Sequence, residues 1–338
     1  MTGGTGSFGT AFATRVLSTL PVHSLRILSR DEWKQWNMQR TLNDDRLRFL
    51  LGDVRDRNRL YRALDGVDIV IHAAALKQVP LCEYNPMEAI NTNILGAANL
   101  IDAAIDRGVE RVLALSTDKA ASPTNLYGAT KLCAEKLFIQ ANSYAGTHKT
   151  RFACCRYGNV LGSRGSVVLA FLEQREGGTL TVTDERMSRF WITLPQAVEF
   201  VLRRVEEFEG GEIFVPKLPS VRIGDIARAV APEARIDIAG IRPGEKLSEV
   251  MITEHEAPRT FDAGDYFVME PEHHSWGEPQ KRWGKALPDG FEYRSDNNDV
   301  WLDSEATRQL LISASLLPRD HEASVVPPQA AMAASGDC

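Results

Sequence analysis

Short apolar runs alternate with longer amphipathic stretches along most of this chain. Arg48–Leu51, Asp68–His72 and Arg111–Leu115 have the length and composition of buried strands. Ala89–Ala104 has the apolar spacing of a long helix. Strands that alternate with helices favour right-handed crossovers and therefore a parallel sheet. The pattern predicts an α/β fold built on a doubly wound parallel sheet.

The same pattern indicates where the domains divide. Glu212–Pro216 is the last run that reads as a strand of the parallel sheet, and we expect it to close that sheet. The chain beyond it reads as a smaller α+β segment. We expect a nucleotide-binding domain at 1–160 that is completed by 190–217, a substrate-binding domain at 161–189 and 218–311, and a disordered tail, rich in Pro, Ala and Ser, at 317–338.

Composition narrows the class of protein. The 338 residues are 43% hydrophobic and 25% charged, with a net charge of -6, which offers no basic surface for nucleic acid. Five cysteines without C-x-x-C spacing argue against a disulfide framework and a zinc site, and we expect no metal. No apolar run is long enough to span a membrane, and the N-terminus lacks the pattern of a signal peptide. We therefore expect a cytoplasmic protein without nucleic-acid or membrane contacts.

The chain opens with a glycine-rich turn, T-G-G-T-G-S-F-G, that leads into an amphipathic helix. Such a turn places backbone N–H groups and a helix N-terminus against a pyrophosphate. An apolar strand of about five residues normally precedes it, whereas only Met1 precedes Thr2 here, so we expect the first strand to be missing from the chain as written. The cofactor contacts predicted in this turn are Gly3, Thr5, Gly6, Ser7 and Phe8.

Ser29 and Arg30 follow a short strand, at the position where a nicotinamide dinucleotide-binding fold recognises the adenosine ribose. A carboxylate there would accept hydrogen bonds from the ribose hydroxyls, whereas a hydroxyl and a guanidinium suit a 2′-phosphate. The pair therefore favours NADP over NAD. Asp31 and Glu32, which come next, keep the alternative open.

Further candidate contacts lie at the carboxyl ends of predicted strands. Asp53, with Val54 beside it, could contact the adenine. Ala73 and Ala74 have small side chains where a backbone must approach a cofactor, although plain core packing explains them equally well. Lys77, at the same edge, is a candidate contact to the cofactor or the substrate.

The stretch S-T-D-K-A-A-S-P-T-N-L-Y-G-A-T-K, which starts at Ser116, carries the densest chemistry of the chain. It begins where a buried-looking strand ends, so Thr117, Asp118 and Lys119 should lie at the carboxyl end of that strand. Open parallel sheets bind their ligands there. A hydroxyl, a carboxylate and an amine at one edge are suited to proton transfer, and we take these three as candidate catalytic residues.

Tyr127 and Lys131 should lie one turn apart on the helix that follows. The unperturbed pKa of a tyrosine is about 10, and a fixed positive charge beside the phenol favours its ionised form. Tyr127 is therefore a candidate base for a sugar or alcohol hydroxyl, with Lys131 as its cation and both beside the cofactor. A lone Y-x-x-x-K also arises by chance in ordinary helices, but the nearby T-D-K favours the functional interpretation.

Residues that suit a phosphate-bearing substrate occur later in the chain. Asn159 follows a predicted strand at the ligand edge. The stretch 161–189 carries four arginines, of which we take Arg164 as a substrate contact, and a solvated loop is the alternative. Arg242 and Glu245 belong to the turn R-P-G-E-K, whose cations suit a diphosphate, although a surface turn with an ion pair has the same composition.

Together these motifs resemble the extended short-chain dehydrogenase/reductase superfamily, and within it the inverting UDP-N-acetylglucosamine 4,6-dehydratases of the polysaccharide biosynthesis type. The likeness runs from Thr2 to about Leu311. Related nucleotide-glucose dehydratases carry Glu where Lys119 stands, and membrane-anchored retaining relatives carry Met where Tyr127 stands, so both residues favour the inverting class. The more specific motifs are H-A-A-A-L-K-Q-V-P, S-T-D-K-A-A-S-P-T-N-L-Y-G-A-T-K, R-Y-G-N-V-L-G-S-R-G-S-V and I-R-P-G-E-K-L-S-E-V-M-I.

The resemblance implies a Rossmann-like fold, a tightly held NADP and UDP-N-acetylglucosamine as substrate. Tyr127 with Lys131 would take the O4 proton while the C4 hydride passes to NADP, and Thr117 would bond the O4 region. Lys119, as a neutral amine, would then take the C5 proton, and Asp118 would protonate the departing C6 hydroxyl. Hydride return to C6 and reprotonation of C5 from the opposite face would give a UDP-4-keto-6-deoxy sugar. Relatives are oligomers, which implies a homo-oligomer here.

Two alternatives stay open. A UDP-sugar 4-epimerase would use the same Tyr127 and Lys131, but it needs no acid–base pair for elimination, so Asp118 and Lys119 favour the dehydratase. A non-catalytic nucleotide-binding scaffold is the second alternative, because a fold alone never secures a function. The intact catalytic set argues against the scaffold, and the missing first strand argues weakly for it.

Overall fold

The structure is a computed structural model that describes residues 1–163, 165–273, 276 and 283–318. The predicted substrate contact Arg164 and most of the predicted tail, 319–338, lie outside these residues. Within that part of the chain, no helix combines the length and apolar character that crossing a lipid bilayer demands. The α-helices are α1 (Ser7–Thr19), α2 (Glu32–Leu42), α3 (Arg57–Ala63), α4 (Val79–Tyr84), α5 (Pro86–Ile90), α6 (Gly96–Asp106), α7 (Leu126–Tyr144), α8 (Val167–Gln174), α9 (Leu194–Glu207), α10 (Ile223–Val230) and α11 (Ser304–Ser313).

The strands have two to five residues each. They are β1 (Leu25–Ser29), β2 (Leu47–Leu51), β3 (Ile69–His72), β4 (Arg111–Leu115), β5 (Arg151–Cys155), β6 (Asn159–Val160), β7 (Thr179–Val182), β8 (Ser188–Ile192), β9 (Ile213–Pro216), β10 (Ser220–Arg222), β11 (Arg235–Ile238), β12 (Val250–Ile252), β13 (Thr260–Asp262), β14 (Tyr266–Met269), β15 (Lys285–Ala286), β16 (Tyr293–Arg294) and β17 (Trp301–Leu302).

The largest sheet has seven strands in the order β15-β13-β14-β9-β5-β4-β3. Strands β3, β4, β5 and β9 run parallel, because helical segments return the chain to the same edge after each of the first three. Strands β1 and β2 form a further parallel pair. The predicted parallel α/β sheet is confirmed, and the carboxyl ends of its strands meet at one edge.

Thr2 joins the β1–β2 pair to the larger sheet. It forms parallel bridges to Leu28 of β1 and to His72 of β3. Among the described residues, only Met1–Gly3 lie between these two strands, and Ile69 at the start of β3 is 47% exposed. In that part of the chain, Thr2 and its neighbours therefore lie where the strand that normally precedes the glycine-rich turn would be.

The main sheet continues past β9. Strand β14 pairs with β9 in the antiparallel sense, and β13 and β15 extend the sheet further. The prediction that Glu212–Pro216 closes the sheet is therefore wrong, and part of the predicted substrate-binding segment 218–311 belongs to the main sheet. Strands β12 and β14 have only 3 and 4 residues, too few to show a period, yet they bury Met251, Ile252, Phe267, Val268 and Met269 in the main core.

A second apolar core lies apart from the main one. Helices α8, α10 and α11 and strand β7 build it, and Leu180, Ile226 and Leu311 are among its fully buried residues. Leu317 is buried in this core as well, so the folded chain reaches into the stretch that is predicted as a disordered tail. The physical reason is that an apolar side chain one turn beyond α11 still reaches the core that α11 covers.

Arg156, directly after β5, ties three parts of the chain together. Its guanidinium donates to both carboxylate oxygens of Glu135 on α7, at 3.0 and 2.7 Å, and to both of Glu256, at 3.0 and 2.9 Å. It also donates to the carbonyl oxygen of Met251 in β12 at 2.9 Å. Arg156 and Glu135 are both buried, and such charges are stable in the interior only when they bond one another. Helix α7 is thereby fixed to β5 and β12.

Replacing Arg156 with Met should destabilise the fold, because Glu135 would keep a buried charge without its partner. We expect the free energy of unfolding, measured by urea denaturation, to fall by about 3–5 kcal/mol. Arg203→Met removes an exposed ion pair with Glu199 on α9 and should cost at most about 1 kcal/mol. Equal losses in the two variants would contradict the role given to Arg156.

Candidate active site

The catalytic candidates after β4 lie beside the end of β5. The N–H of Asp118 donates to the carbonyl oxygen of Tyr157 at 3.1 Å, which places the two chain segments side by side. The chain then forms a 3₁₀ turn, Asp118–Ala120, whose N-cap is Thr117. Thr117, Asp118 and Lys119 therefore lie at the carboxyl end of a central strand, where the sequence predicts them.

Lys119 is held between two carboxylates. Its Nζ lies 3.0 Å from Asp118 Oδ1 and 3.3 Å from Glu249 Oε1. Thr117 Oγ1 donates a second hydrogen bond to the same Asp118 oxygen at 2.8 Å. Asp118 and Glu249 are almost fully buried, at 0% and 3% exposure, so little water screens these charges.

The charge on Lys119 differs from what the proposed base chemistry needs at its start. Burial disfavours the ammonium, but Asp118 and then Glu249 outweigh burial and raise the pKa of Lys119 well above its ordinary value. A neutral amine would require surroundings that lower this pKa. The surroundings of Lys119 do not lower it. In this structure Lys119 is an ammonium ion.

Tyr127 is the second residue of α7, whose N-cap Asn125 accepts a hydrogen bond from Gly128 N–H at 2.9 Å. Burial raises the pKa of Tyr127 to about 12, although the Lys119 charge and a hydrogen bond with Thr117 act in the opposite direction. Lys119, which belongs to the neighbouring turn, is therefore a cation that favours the ionised phenol.

Lys131 lies one turn after Tyr127, as predicted, but its ammonium is bound elsewhere. Its Nζ donates to the carbonyl oxygen of Leu115, at the end of β4, at 2.6 Å. Burial lowers the pKa of Lys131. In this arrangement the Lys131 ammonium fixes α7 to the end of β4.

Gly128 lets α7 lie directly on the turn that carries Lys119. A Cβ at this position would lie 2.2 Å from the carbonyl oxygen of Lys119, which is far inside van der Waals contact. Only a residue without a side chain allows this approach. The distance between Tyr127 and Lys119 is thus set by backbone packing.

The glycine-rich turn forms a cradle at the carboxyl ends of β1 and β3. Gly3 has φ +65°, and a Cβ on it would lie 2.7 Å from Ala74 N and 2.8 Å from Ala73 O. Gly6, the N-cap of α1, has no side-chain hydrogen bond to the first N–H groups of the helix. Free N–H groups at a helix N-terminus, beside a backbone without side chains, fit a pyrophosphate.

Positively and negatively charged side chains lie together at the predicted ribose end of this cradle. Arg30 is exposed, and its Nη1 lies 3.7 Å from Asp53 Oδ2. Asp53 also pairs with Arg55 at 2.8 Å, so two guanidinium groups flank one carboxylate. Ser29 is almost buried and accepts a hydrogen bond from Gln35 Nε2 at 3.0 Å.

Two other residues at this end have structural contacts. Asp31 caps α2, because its Oδ1 accepts a hydrogen bond from Lys34 N–H at 3.0 Å and its Oδ2 lies 2.5 Å from Lys34 Nζ. Val54 is buried in the main core, where a Cβ on Gly96 would lie 2.7 Å from it. The side chain of Asp31 is therefore engaged within α2.

Asn93 fixes the loop that leads to Lys77. Its side-chain amide accepts a hydrogen bond from Leu76 N–H and donates one to Leu76 O, both at 2.8 Å, and donates another to Thr130 Oγ1 on α7 at 2.9 Å. Asn93 lies in a π-helical turn, Asn91–Leu95, between α5 and α6. A π-helical turn has no signature in the apolar pattern, so sequence reasoning left this residue unassigned.

The predicted substrate residues are only partly brought together. Arg242 and Glu245 form one turn, in which Glu245 Oε2 accepts a hydrogen bond from Arg242 N–H at 3.1 Å. Gly244 in the same turn accepts a hydrogen bond from Asn125 Nδ2 at 2.9 Å, so the turn lies over the start of α7. The buried Oδ1 of Asn159 has no hydrogen-bond partner among the described residues.

Sequence reasoning missed Glu249 and did not place Arg189 and Lys246 beside it. Glu249 contacts Lys119, Lys246 Nζ lies 3.8 Å from Glu249 Oε2, and Arg189 Nε lies 3.7 Å from Glu249 Oε1. Arg189 and Lys246 stand in stretches that the sequence marks as phosphate-binding, but their approach to Lys119 depends on tertiary packing. No group of His, Cys, Asp and Glu in the described part of the chain could hold a metal ion.

Comparison with known proteins decides the family. The family described as "Polysaccharide biosynthesis protein" matches residues 1–271. A Campylobacter jejuni protein named UDP-N-acetylglucosamine 4,6-dehydratase (inverting) is 47% identical over 324 residues, which cover 92% of this chain and 96% of that protein. The chain therefore belongs to this polysaccharide biosynthesis protein family. The resemblance predicted from the motifs is confirmed.

Other similar proteins carry other names. A Rickettsia canadensis protein named UDP-glucose 4-epimerase is 43% identical over 275 residues, 79% of this chain and 81% of that protein. Among solved structures, Pen from Bacillus thuringiensis has a TM-score of 0.86 at 37% identity and covers 93% of this chain and 96% of its own. The dTDP-glucose 4,6-dehydratase DesIV from Streptomyces venezuelae, with NAD and TYD bound, has a TM-score of 0.66 at 24% identity, over 73% of this chain and 85% of that one. The last likeness concerns the fold alone, and it confirms the Rossmann-like architecture.

Replacing Gly128 with Ala should disturb the site without removing any functional group. The added Cβ would force α7 away from the Lys119 carbonyl, and we expect the free energy of unfolding to fall by about 1–3 kcal/mol in urea denaturation. Gly177→Ala is the matched control, because a Cβ there meets nothing within 4 Å. Two variants of equal stability would show that the contact at Gly128 tolerates a side chain.

Proposed function

We propose that this protein is a hydro-lyase that converts UDP-N-acetylglucosamine to a UDP-4-keto-6-deoxy sugar with inversion at C5. The observation that carries the proposal is the buried contact between Lys119 and Asp118, which places an acid and a base side by side near Tyr127. The Campylobacter dehydratase, similar over nearly the whole chain, supports the same reaction. The product would serve the synthesis of surface glycans or glycoconjugates.

The residues of the glycine cradle fit a nicotinamide dinucleotide, and we propose NADP. The cradle at Gly3 and the uncapped start of α1 suit the pyrophosphate. The exposed guanidinium of Arg30 beside Ser29 suits a 2′-phosphate, while the carboxylate of Asp31 is engaged in capping α2. NADP, when bound, takes the hydride from C4 and returns it to C6.

Tyr127 is the proposed acceptor of the O4 proton. With a pKa of about 12, the phenol is protonated at neutral pH before substrate binds, so it must release its own proton to solvent before it can accept the O4 proton. Lys119 and Thr117 already act to lower this pKa. Loss of the C4 hydride then leaves a ketone at C4, which acidifies the C5 proton.

The Asp118–Lys119 pair can supply both groups that the elimination needs. Transfer of one proton over the 3.0 Å from Lys119 Nζ to Asp118 Oδ1 turns a half-buried ammonium and a buried carboxylate into an amine and a carboxylic acid, and burial favours neutral forms. The amine takes the proton from C5, and the electron pair of the broken C5–H bond forms the C5–C6 double bond. The C6–O bond breaks, and the leaving oxygen takes the Asp118 proton and departs as water. The pair returns to an ammonium and a carboxylate.

The diphosphate of the substrate is proposed to bind at the turn of Arg242 and Glu245. This turn lies over the start of α7, and Arg189 and Lys246 add positive charge on the side of Lys119. The planar guanidinium group of an arginine can donate two parallel hydrogen bonds to phosphate oxygens. That the protein acts in the cytoplasm as a homo-oligomer stays a prediction.

A UDP-sugar 4-epimerase is the second candidate, because relatives that are 43% identical carry that name. Epimerisation needs oxidation and reduction at C4 and no acid–base pair at C5 and C6. The buried Asp118–Lys119 contact has no function in that reaction. The two candidates differ in a product that can be observed directly.

The first test is a proton NMR time course of the purified protein with UDP-N-acetylglucosamine in deuterated water. We expect a new C6 methyl signal, a 4-keto centre and solvent deuterium at C5, with ring couplings that report inversion. Conversion to the galacto sugar without any methyl signal would establish the epimerase.

Two substitutions should separate the chemical steps. Tyr127→Phe should abolish oxidation at C4, because no group is left to take the O4 proton. Lys119→Met should still allow oxidation at C4, seen as reduced cofactor on the protein, but should stop deuterium exchange at C5. Lys136→Met, which removes an exposed lysine of α7, is the matched control and should behave as the unchanged protein. A methyl product from Lys119→Met would refute the role of that lysine.

A further inference from the structure

Glu249 is a buried carboxylate whose backbone is held tightly. Its N–H donates to Ser295 Oγ at 2.9 Å, and its carbonyl oxygen accepts a hydrogen bond from Ser295 N–H at 2.9 Å. The residue directly precedes β12, which Arg156 fixes to β5 and α7. Its side chain is therefore presented to Lys119 from a rigid base.

The carboxylate of Glu249 is only partly satisfied. Oε1 lies near Lys119 and Arg189, whereas Oε2 is buried, has no hydrogen-bond partner among the described residues, and lies 3.8 Å from Lys246 Nζ. Glu135, by contrast, has both oxygens bonded to Arg156. A buried charge that serves the fold alone is normally fully bonded, because an unmatched oxygen costs free energy. The arrangement at Glu249 therefore indicates a function in the reaction.

We infer that Glu249 is a positioning residue of the reaction: its carboxylate holds the Lys119 ammonium against Asp118 and keeps one proton on the Asp118–Lys119 pair. The inference rests on the proposed function, in which that single proton makes Lys119 the base and Asp118 the acid. Glu249 acts through Lys119 and need not touch the substrate. A pair that loses this proton keeps the base and loses the acid.

The charges that face Lys119 come from several elements. Asp118 belongs to the same 3₁₀ turn, Glu249 precedes β12, Arg189 lies on β8, and Lys246 lies in the segment before Glu249. The phenol of Tyr127 on α7 also interacts with Lys119. Without Glu249, Asp118 would be the carboxylate left to offset the positive charges of Arg189 and Lys246. The pair would then lose its proton at a lower pH, since the charge that favours the ammonium is gone.

A direct test measures the titration of Lys119 by NMR in protein labelled with ¹³C at lysine Cε, without substrate. The signal is assigned by its loss in Lys119→Met. In Glu249→Gln, which keeps the shape and removes the charge, we expect the midpoint to fall by about one to three pH units. Glu249→Asp keeps the charge but withdraws it by one methylene group, so its midpoint should fall less. Glu254→Gln, an exposed carboxylate of the same segment, should leave the midpoint unchanged.

A kinetic test measures methyl product against pH in the same variants. Because the Asp118–Lys119 pair must hold one proton, the rate should fall on the alkaline limb of the pH–rate profile. Glu249→Gln should move that limb to lower pH by the same amount as it moves the NMR midpoint. If Glu249 had only a structural role, its replacement would lower the rate without moving the alkaline limb. Glu249→Asp should lie between the two other proteins.

The two tests fail in different ways. If the unchanged protein forms no methyl product, the proposed function is wrong, while the NMR titration still decides whether Glu249 holds the proton. If Lys119 titrates at the same pH in the unchanged protein, Glu249→Gln and Glu249→Asp, the inference is wrong whatever the activity. Should Glu249→Gln fail to fold, an unchanged midpoint in Glu249→Asp overturns the inference by itself.

Discussion

A half-buried ammonium between two buried carboxylates is the interaction on which the arrangement of this active site depends. Lys119 brings together the turn after β4, the start of α7 and the segment that ends at Glu249. None of these groups could be buried alone without a large cost, because each charge is stable there only beside its partners. The electrostatics of the site and the packing of its segments are therefore one constraint.

This constraint changes how the tyrosine is understood. The spacing of Tyr127 and Lys131 suggests that the helix lysine assists the phenol, as any sequence with Y-x-x-x-K would. In the structure, Lys131 bonds the end of β4, and the Lys119 ammonium also acts to lower the pKa of Tyr127. One ammonium thus influences both the group proposed for C4 and the groups proposed for C5 and C6.

Local patterns explain what the sequence could predict. The parallel strands are continuous apolar runs, and the stretch from Thr117 to Lys131 is one contiguous piece of chain, so its position at a strand end follows from the strand before it. Strands β13 and β15, of 3 and 2 residues, were missed because they are too short to show a pattern. Strand β14 is an apolar run like β9, but nothing in its sequence records which sheet it joins. Glu249 and the position of Arg189 beside it were missed for another reason. Their contacts join segments that are distant in the chain, and no periodicity records such contacts.

The network around Arg156 has a consequence for how the site responds to its solution. Arg156 and Glu135 bond one another beyond the reach of water, so mobile ions cannot screen them, and the frame that carries α7 and β12 should hold its shape at any ionic strength. Arg30 and Arg242 are exposed and are open to screening. Salt should therefore weaken the proposed contacts with phosphate groups and leave the spacing of the proposed proton-transfer groups as it is.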